Sequence, residues 1–409
     1  MSTTMSNGMS TAMHASIPIR RFELSSVADT ALKAATRFWF GVTVIGQFAF
    51  GFAVASFYGM TALRGDYHGW RFTNGFIPGV TKGNWAVVMH VITAAIIMLA
   101  GAIQLIPQVR NRFPLFHRWN GRIYMLSVVV LSVAGVYMHW VRGSVGDVWQ
   151  HIGGTVNAVL IWVFAALALR SALARDFKSH RRWALRLFLV VSASWFIRIM
   201  LFLTFLIFKG PIGFDPATFT GPYLTFLSFS QYLIPLAVLE LYFRAQESSG
   251  AGRRMAMAAG LFALTLVMCA GLFAVTIAIW VPQVKAAFDP RRSIAETLSA
   301  TIASRGVEPA IAQYHELKAS APATYNFDED ELNSLGYQMM RDKKLGEAVR
   351  ILQLNVEAFP QSSNAYDSLG EAYMNAGNKA LAIANYRKSL QLNPKNGNGT
   401  KMLEKLNAR

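Results

Sequence analysis

Eight histidines are spread over the 409 residues, and five of them, His90, His117, His139, His151 and His180, lie in or beside long apolar runs. Imidazole in such surroundings has a limited chemical repertoire: it ligates metals when neutral and gains charge just below neutral pH. His90 and His117 are 27 positions apart, and His151 and His180 are 29 apart. Each block reads His, apolar stretch, basic loop, His, then Arg, and His117-Arg118-Trp119 is echoed by His180-Arg181-Arg182-Trp183. That echo reads as a duplicated helix pair. Two imidazoles on facing helices can hold a haem iron from both sides, and two such pairs would form an electron path. His14, His68 and His315 fall in the tail, a loop and a repeat helix, and are read as solvated.

Helices of membrane length must position these side chains. About 20 apolar residues span ~30 Å of hydrocarbon. Seven runs qualify, at 38–60, 85–107, 119–141, 151–169, 183–208, 222–243 and 256–282, with tryptophans such as Trp85, Trp119 and Trp280 near their ends. With a cytoplasmic N-terminus, 17 Lys/Arg fall in inner segments and 6 in outer ones, the bias that sets topology. His90 then lies about 7–8 Å below the outer end of the second span. His151 opens the fourth span on that side, while His117 and His180 open the third and fifth on the inner side. The pairs are thus His90 with His151 and His117 with His180. The other reading of the interfacial members is contact with lipid headgroups.

The pattern resembles the ascorbate-linked transmembrane cytochromes b, whose ligands come in the same second–fourth and third–fifth helix pairs. That likeness implies haem b and these four ligands. Residues 85–200 also resemble a family of uncharacterised bacterial predicted membrane proteins. The positions that carry it are His90, Gly101 and Gln104, then His117-Arg118-x-x-Gly121-Arg122-x-Tyr124, Trp162, His180-Arg181-x-Trp183, Arg186 and Arg198. This second resemblance implies a fold and no activity.

Arg198 lies 15 residues past Trp183, about 22 Å along the helix. A charge at that depth costs at least ~2.5–3.5 kcal/mol unless it faces the bundle or water. It is expected to meet a haem propionate or a small anion, or else backbone carbonyls near Asn157. Arg118 with Arg122 and Arg182 with Arg186 are i, i+4 pairs. They are candidates for propionate, phosphate or quinone contact, or for anchoring to lipid phosphate.

The net charge of +17 divides unevenly: residues 1–285 hold 24 Lys/Arg and 8 Asp/Glu, residues 286–409 hold 15 and 14. The excess is in membrane loops, which argues against a nucleic-acid partner. A lone Cys269 excludes an intramolecular disulfide. No phosphate loop, His-Glu-x-x-His or Gly-x-Ser-x-Gly motif is present, and Glu240 is the one carboxylate expected near the inner end of a span.

From Glu331 the sequence repeats at 34 residues: Leu335-Gly336 with Leu369-Gly370, Ala348 with Ala382, Pro360 with Pro394. This resembles the tetratricopeptide repeat, which implies helix pairs stacked around a concave surface for a protein or peptide. A degenerate first repeat is expected at 293–325 and a capping helix near 400–408. The expected protein is all-α: a flexible cytoplasmic tail (1–37), a seven-span membrane domain (38–283) and an external repeat domain (284–409), in a bacterial inner membrane. Three functions fit: a haem electron carrier with a docking domain, a cofactor-free membrane-anchored scaffold, or a carrier of an anion or other small molecule.

Overall fold

In lipid, the backbone must satisfy its own hydrogen bonds, and the apolar runs accordingly become helices. The computed structural model describes residues 16–64, 81–216 and 218–407; His14, His68 and Arg71 lie outside them. The first part contains α1 (Ser16–Arg64), α2 (Thr81–Gln104), α3 (Pro107–Arg112), α4 (Pro114–Tyr137), α5 (Val148–Leu173), α6 (Phe177–Val191), α7 (Ala193–Phe208), α8 (Pro222–Glu247), α9 (Ala251–Val275) and α10 (Val281–Phe288). Prolines open α3, α4 and α8, where a missing N–H costs nothing. The Asp147 and Asp176 carboxylates cap α5 and α6 by accepting from the backbone N–H of Gln150 and Ser179, each cap contributing about 1 kcal/mol.

Among the described residues six helices are long and apolar enough to cross a membrane, and seven when α6 and α7, bent by 52°, count as one span. The run read as 183–208 is therefore a broken one. Its break has a cause in named atoms. The Ser192 hydroxyl turns back to the Phe188 carbonyl (2.7 Å) and accepts from the Gln47 amide of α1 (2.8 Å). A serine back-bond combined with an inserted side chain is a recognised origin of kinks. The first helix also departs from expectation: α1 starts at Ser16, so part of the 1–37 stretch read as flexible tail is helical.

α1 packs on α9 and α2, α2 on α4, α5 on α6 and α8, and α7 on α9. Trp195 and Tyr232 are wholly buried at the centre. Gly46 makes room for the first of these, since a Cβ there would stand 2.7 Å from the Trp195 ring. The outward faces carry large exposed apolar side chains such as Ile45, Leu126 and Phe273, a surface suited to lipid and not to water.

A second compact unit begins at Phe288. It contains α11 (Ile294–Arg305), α12 (Val307–Ser320), α13 (Glu329–Arg341), α14 (Leu345–Ala358), α15 (Ser363–Asn375), α16 (Lys379–Leu392) and α17 (Gly397–Asn407). Two short strands, β1 (Arg292–Ser293) and β2 (Tyr325–Asn326), pair in parallel. The repeat positions lie where helices cross. A Cβ at Gly336 would stand 2.5 Å from Cγ of Leu352, itself fully buried. We expect Gly336→Val to cost about 1–3 kcal/mol by overpacking. A thermal-melting scan of the intact chain checks this, and an unchanged transition would contradict the crossing.

Candidate functional site

The end of the bundle where α2 and α5 begin and α4 finishes is called outer here, after the expected orientation. Two and a half turns into α2, His90 donates its Nδ1–H to the Leu131 carbonyl of α4 (3.2 Å). Because the acceptor is a carbonyl, the proton must be on Nδ1, and the neutral ring presents a bare Nε2. A Cβ at Gly135, one turn beyond Leu131, would rest on this ring at 3.8 Å, an ordinary contact.

α4 does not simply stop. It passes into a π-helical turn, Met138–Arg142, that ends at Gly143 with φ +78°. π-turns recur at functional sites because the extra residue redirects a side chain. Here the redirected side chain is His139, which stacks on His151 with ring centres 5.0 Å apart and planes 28° apart. The Ser144 hydroxyl lies 2.8 Å from His139 Nδ1 and 3.5 Å from His151 Nε2. Gly154 on α5 admits the ring, since a Cβ there would fall 2.5 Å from His139 Nε2. Trp140 closes the cluster, edge-on to His151 at 5.9 Å and donating to Thr155 Oγ1 at 2.8 Å. The sequence places His139 at this end but gives it no role, because a π-turn has no residue signature.

At the inner end, His180 donates Nδ1–H to the Ala168 carbonyl of α5 (2.9 Å) and so also presents a bare Nε2. His117 lies in the first turn of α4. The His117 Nδ1 is buried without a partner, and its Nε2 meets the Gln104 amide nitrogen at 3.3 Å. Gln104 is itself fixed: its Oε1 accepts from Asn120 (2.8 Å) and its Nε2 donates to the His117 carbonyl (3.1 Å). Asn120 also donates to the Ala100 carbonyl (3.0 Å). The two glycines of this region let α2 and α4 approach, as a Cβ at Gly101 would stand 2.8 Å from the Tyr124 ring and one at Gly121 2.8 Å from Gln104 Nε2. Much of the His117–Tyr124 motif thus knits α2 to α4. Trp162 does the same for α5 and α4, donating to Ser132 Oγ at 2.7 Å.

The arginines sort into three groups. Arg182 pairs with Glu247 (2.6 Å) and Arg186 with Glu240 (2.6 Å), and Arg186 also lies over the Trp183 ring at 4.6 Å. Both were candidate anion contacts on sequence grounds, and both are instead met by carboxylates of α8. Arg118 and Arg122 are exposed, with Arg122 over the Trp119 ring at 4.8 Å. Arg198 sits over the Phe50 ring at 5.0 Å and donates to the Ser194 carbonyl and hydroxyl (2.5 and 2.7 Å). The carbonyl alternative is therefore realised within its own helix and not near Asn157. No described carboxylate pairs with Arg198.

Residues 87–229, which include His90, His117, His139, His151, His180 and Arg198, match a family described as Predicted membrane protein (DUF2306). Residues 363–396 match the tetratricopeptide repeat. No curated protein matches the chain. The chain is a multi-pass membrane protein that carries a DUF2306 predicted-membrane-protein domain followed by a C-terminal tetratricopeptide repeat.

Proposed function

We propose that the bundle holds b-type haem on its histidines and that the repeat domain docks the protein with which electrons are exchanged. The observation that carries this reading is the matched anchoring of His90 and His180. Each spends Nδ1–H on a carbonyl of a neighbouring helix, the outer contact that fixes tautomer and orientation in metal-binding imidazoles.

The other two ligands require adjustment. His139 and His151 are stacked 5.0 Å apart, which leaves no room for a porphyrin between those two rings. His151 must part from that stack to face His90. Its contact to Ser144 at 3.5 Å, like that of His117 to Gln104 at 3.3 Å, is at the weak end of hydrogen bonding and gives little resistance. Haem would supply a one-electron couple at each end. The protein's part is to fix ring orientation, exclude water and balance charge. Arg198, the in-span cation with no carboxylate partner, is assigned to a propionate. The excess of basic residues, 17 inner against 6 outer, supports a cytoplasmic N-terminus and a repeat domain on the outer face of a bacterial inner membrane.

The test is the visible spectrum of the detergent-purified chain, oxidised and then reduced with dithionite. A sharpened low-spin α-band is expected on reduction. A colourless protein from cells supplied with haem precursor would overturn the proposal and leave a membrane-anchored docking scaffold.

A further inference from the structure

α8 and α9 form a hairpin closed by the short turn between Glu247 and Ala251. The two helices leave between them a groove of about 650 Å³. Val238 and Leu241 of α8 line one wall, and Ala256, Gly260 and Leu264 of α9 line the other. Their spacing of three or four residues puts each set on a single helix face. Gly260 gives the groove its depth, since nothing lies within 4 Å of a Cβ there. The mouth carries charge: Arg244, in the last turn of α8, and Arg253, in the first turn of α9, line the groove at its hairpin end.

Both arginines are exposed, and among the described residues neither has a hydrogen-bond or ion-pair partner. The described carboxylates of α1 and α8 are engaged elsewhere: Glu247 with Arg182, Glu240 with Arg186 and Asp29 with Arg254. α9 has no acidic residue. Arg254 turns toward Asp29 and Ser25 of α1, which leaves Arg253 to the groove. The dimensions say what fits. From Arg253 to Leu264 is 11 residues, about 16 Å of helix, and one leaflet supplies half of a ~30 Å hydrocarbon core. The apolar groove therefore runs the depth of one leaflet, with both guanidinium groups at the headgroup end. Guanidinium matches phosphate bidentately, and basic pockets between membrane helices suit anionic headgroups.

We propose that this groove binds an anionic phospholipid, with its phosphate between Arg244 and Arg253 and an acyl chain along Gly260 toward Leu264. A free phosphate would leave the apolar walls unused. A zwitterionic lipid would bring its own cation to a mouth that already holds two. The site is independent of the histidines and holds whether or not they bind haem.

The experiment is native mass spectrometry of the full chain released from detergent, titrated with phosphatidylglycerol or with phosphatidylcholine of the same acyl chains. Phosphatidylglycerol is expected to bind at least about tenfold more tightly. The Arg244→Gln/Arg253→Gln double variant is expected to lose that preference. Arg170→Gln/Lys178→Gln, which removes the same charge from exposed positions around the α5–α6 turn, is expected to bind as the parent does. Gly260→Phe fills the groove without changing charge and is expected to weaken phosphatidylglycerol by at least about tenfold as well. Equal affinity for the two lipids in the parent would overturn the anionic occupant. Equal losses in the two charge variants would show diffuse attraction and overturn the site, as would an unchanged preference in the first. Unchanged binding in a Gly260→Phe chain that elutes as the parent does would overturn the groove. If Gly260→Phe does not fold, the two charge variants decide alone.

Discussion

Alanine at His180 is expected to halve the haem bound per chain while leaving the bundle folded. The fold argument is one of magnitude. His180 makes one hydrogen bond, to the Ala168 carbonyl, and a bond of this kind contributes about 0.5–1.5 kcal/mol net. Losing it is small beside what holds α5 on α6. A lost α-band in a variant that elutes and melts as the parent does therefore reports ligation, not collapse. His90→Ala should remove the other half, and the double variant should be colourless. The outer partner is resolved by a contrast between the stacked rings. His151→Ala is expected to lose the outer chromophore, whereas His139→Ala keeps it, because removing the stacked ring frees His151. Haem content by pyridine haemochrome, read against elution volume, checks all five. Full haem content in His90→Ala or His180→Ala would sink the proposed ligand assignment.

That contrast also shows how far side-chain placement could be read before any coordinates. The helices were legible because hydrophobic run length is a strong signal in lipid, and the 34-residue period was legible because Gly336 and Gly370 must recur at each crossing. Span counting gives the histidines a membrane face and a pairing, and it gives no sign of a fifth ring beside them. The stack of His139 on His151 depends on the π-turn at Met138–Arg142, and no residue preference announces a π-turn. The break at Ser192 was hidden for a related reason: it needs Gln47, 145 positions earlier, to reach the serine hydroxyl. The ion pairs of the arginines were not legible either. Arg182 and Arg186 look free in sequence, but Glu247 and Glu240 arrive from α8, more than 50 residues downstream. Arg198 meets the Ser194 carbonyl and hydroxyl of its own helix, a contact that its depth does not announce.

Gly271→Leu is expected to prevent accumulation of folded chain, and Gly271→Ala to melt at clearly lower temperature than the parent. Gly271 lies where α9 crosses α7. A Cβ there would fall 2.6 Å from the Ile199 carbonyl oxygen, 2.7 Å from Ile199 Cγ2 and 3.2 Å from Leu203 Cβ. The nearest of these atoms is backbone, so no rotamer change relieves the contact and the helices must separate. Small residues at such crossings let membrane helices gain packing energy that lipid cannot otherwise provide. Overpacking of this kind costs about 1–3 kcal/mol for a methyl and more for a larger group. Gly260 on the same helix is the control, because nothing lies within 4 Å of a Cβ there. Gly260→Ala should change stability by no more than about 1 kcal/mol, with the sign of improved helix propensity. Fluorescence-detected size exclusion after graded heating measures both variants. Equal melting of Gly271→Ala and Gly260→Ala would show that α7 and α9 do not meet at this glycine. The crossing also bears on the site, since Ile199 directly follows Arg198. Pushing α7 off α9 displaces the backbone that holds the guanidinium over Phe50, so the small residue on α9 helps to place Arg198 without touching it.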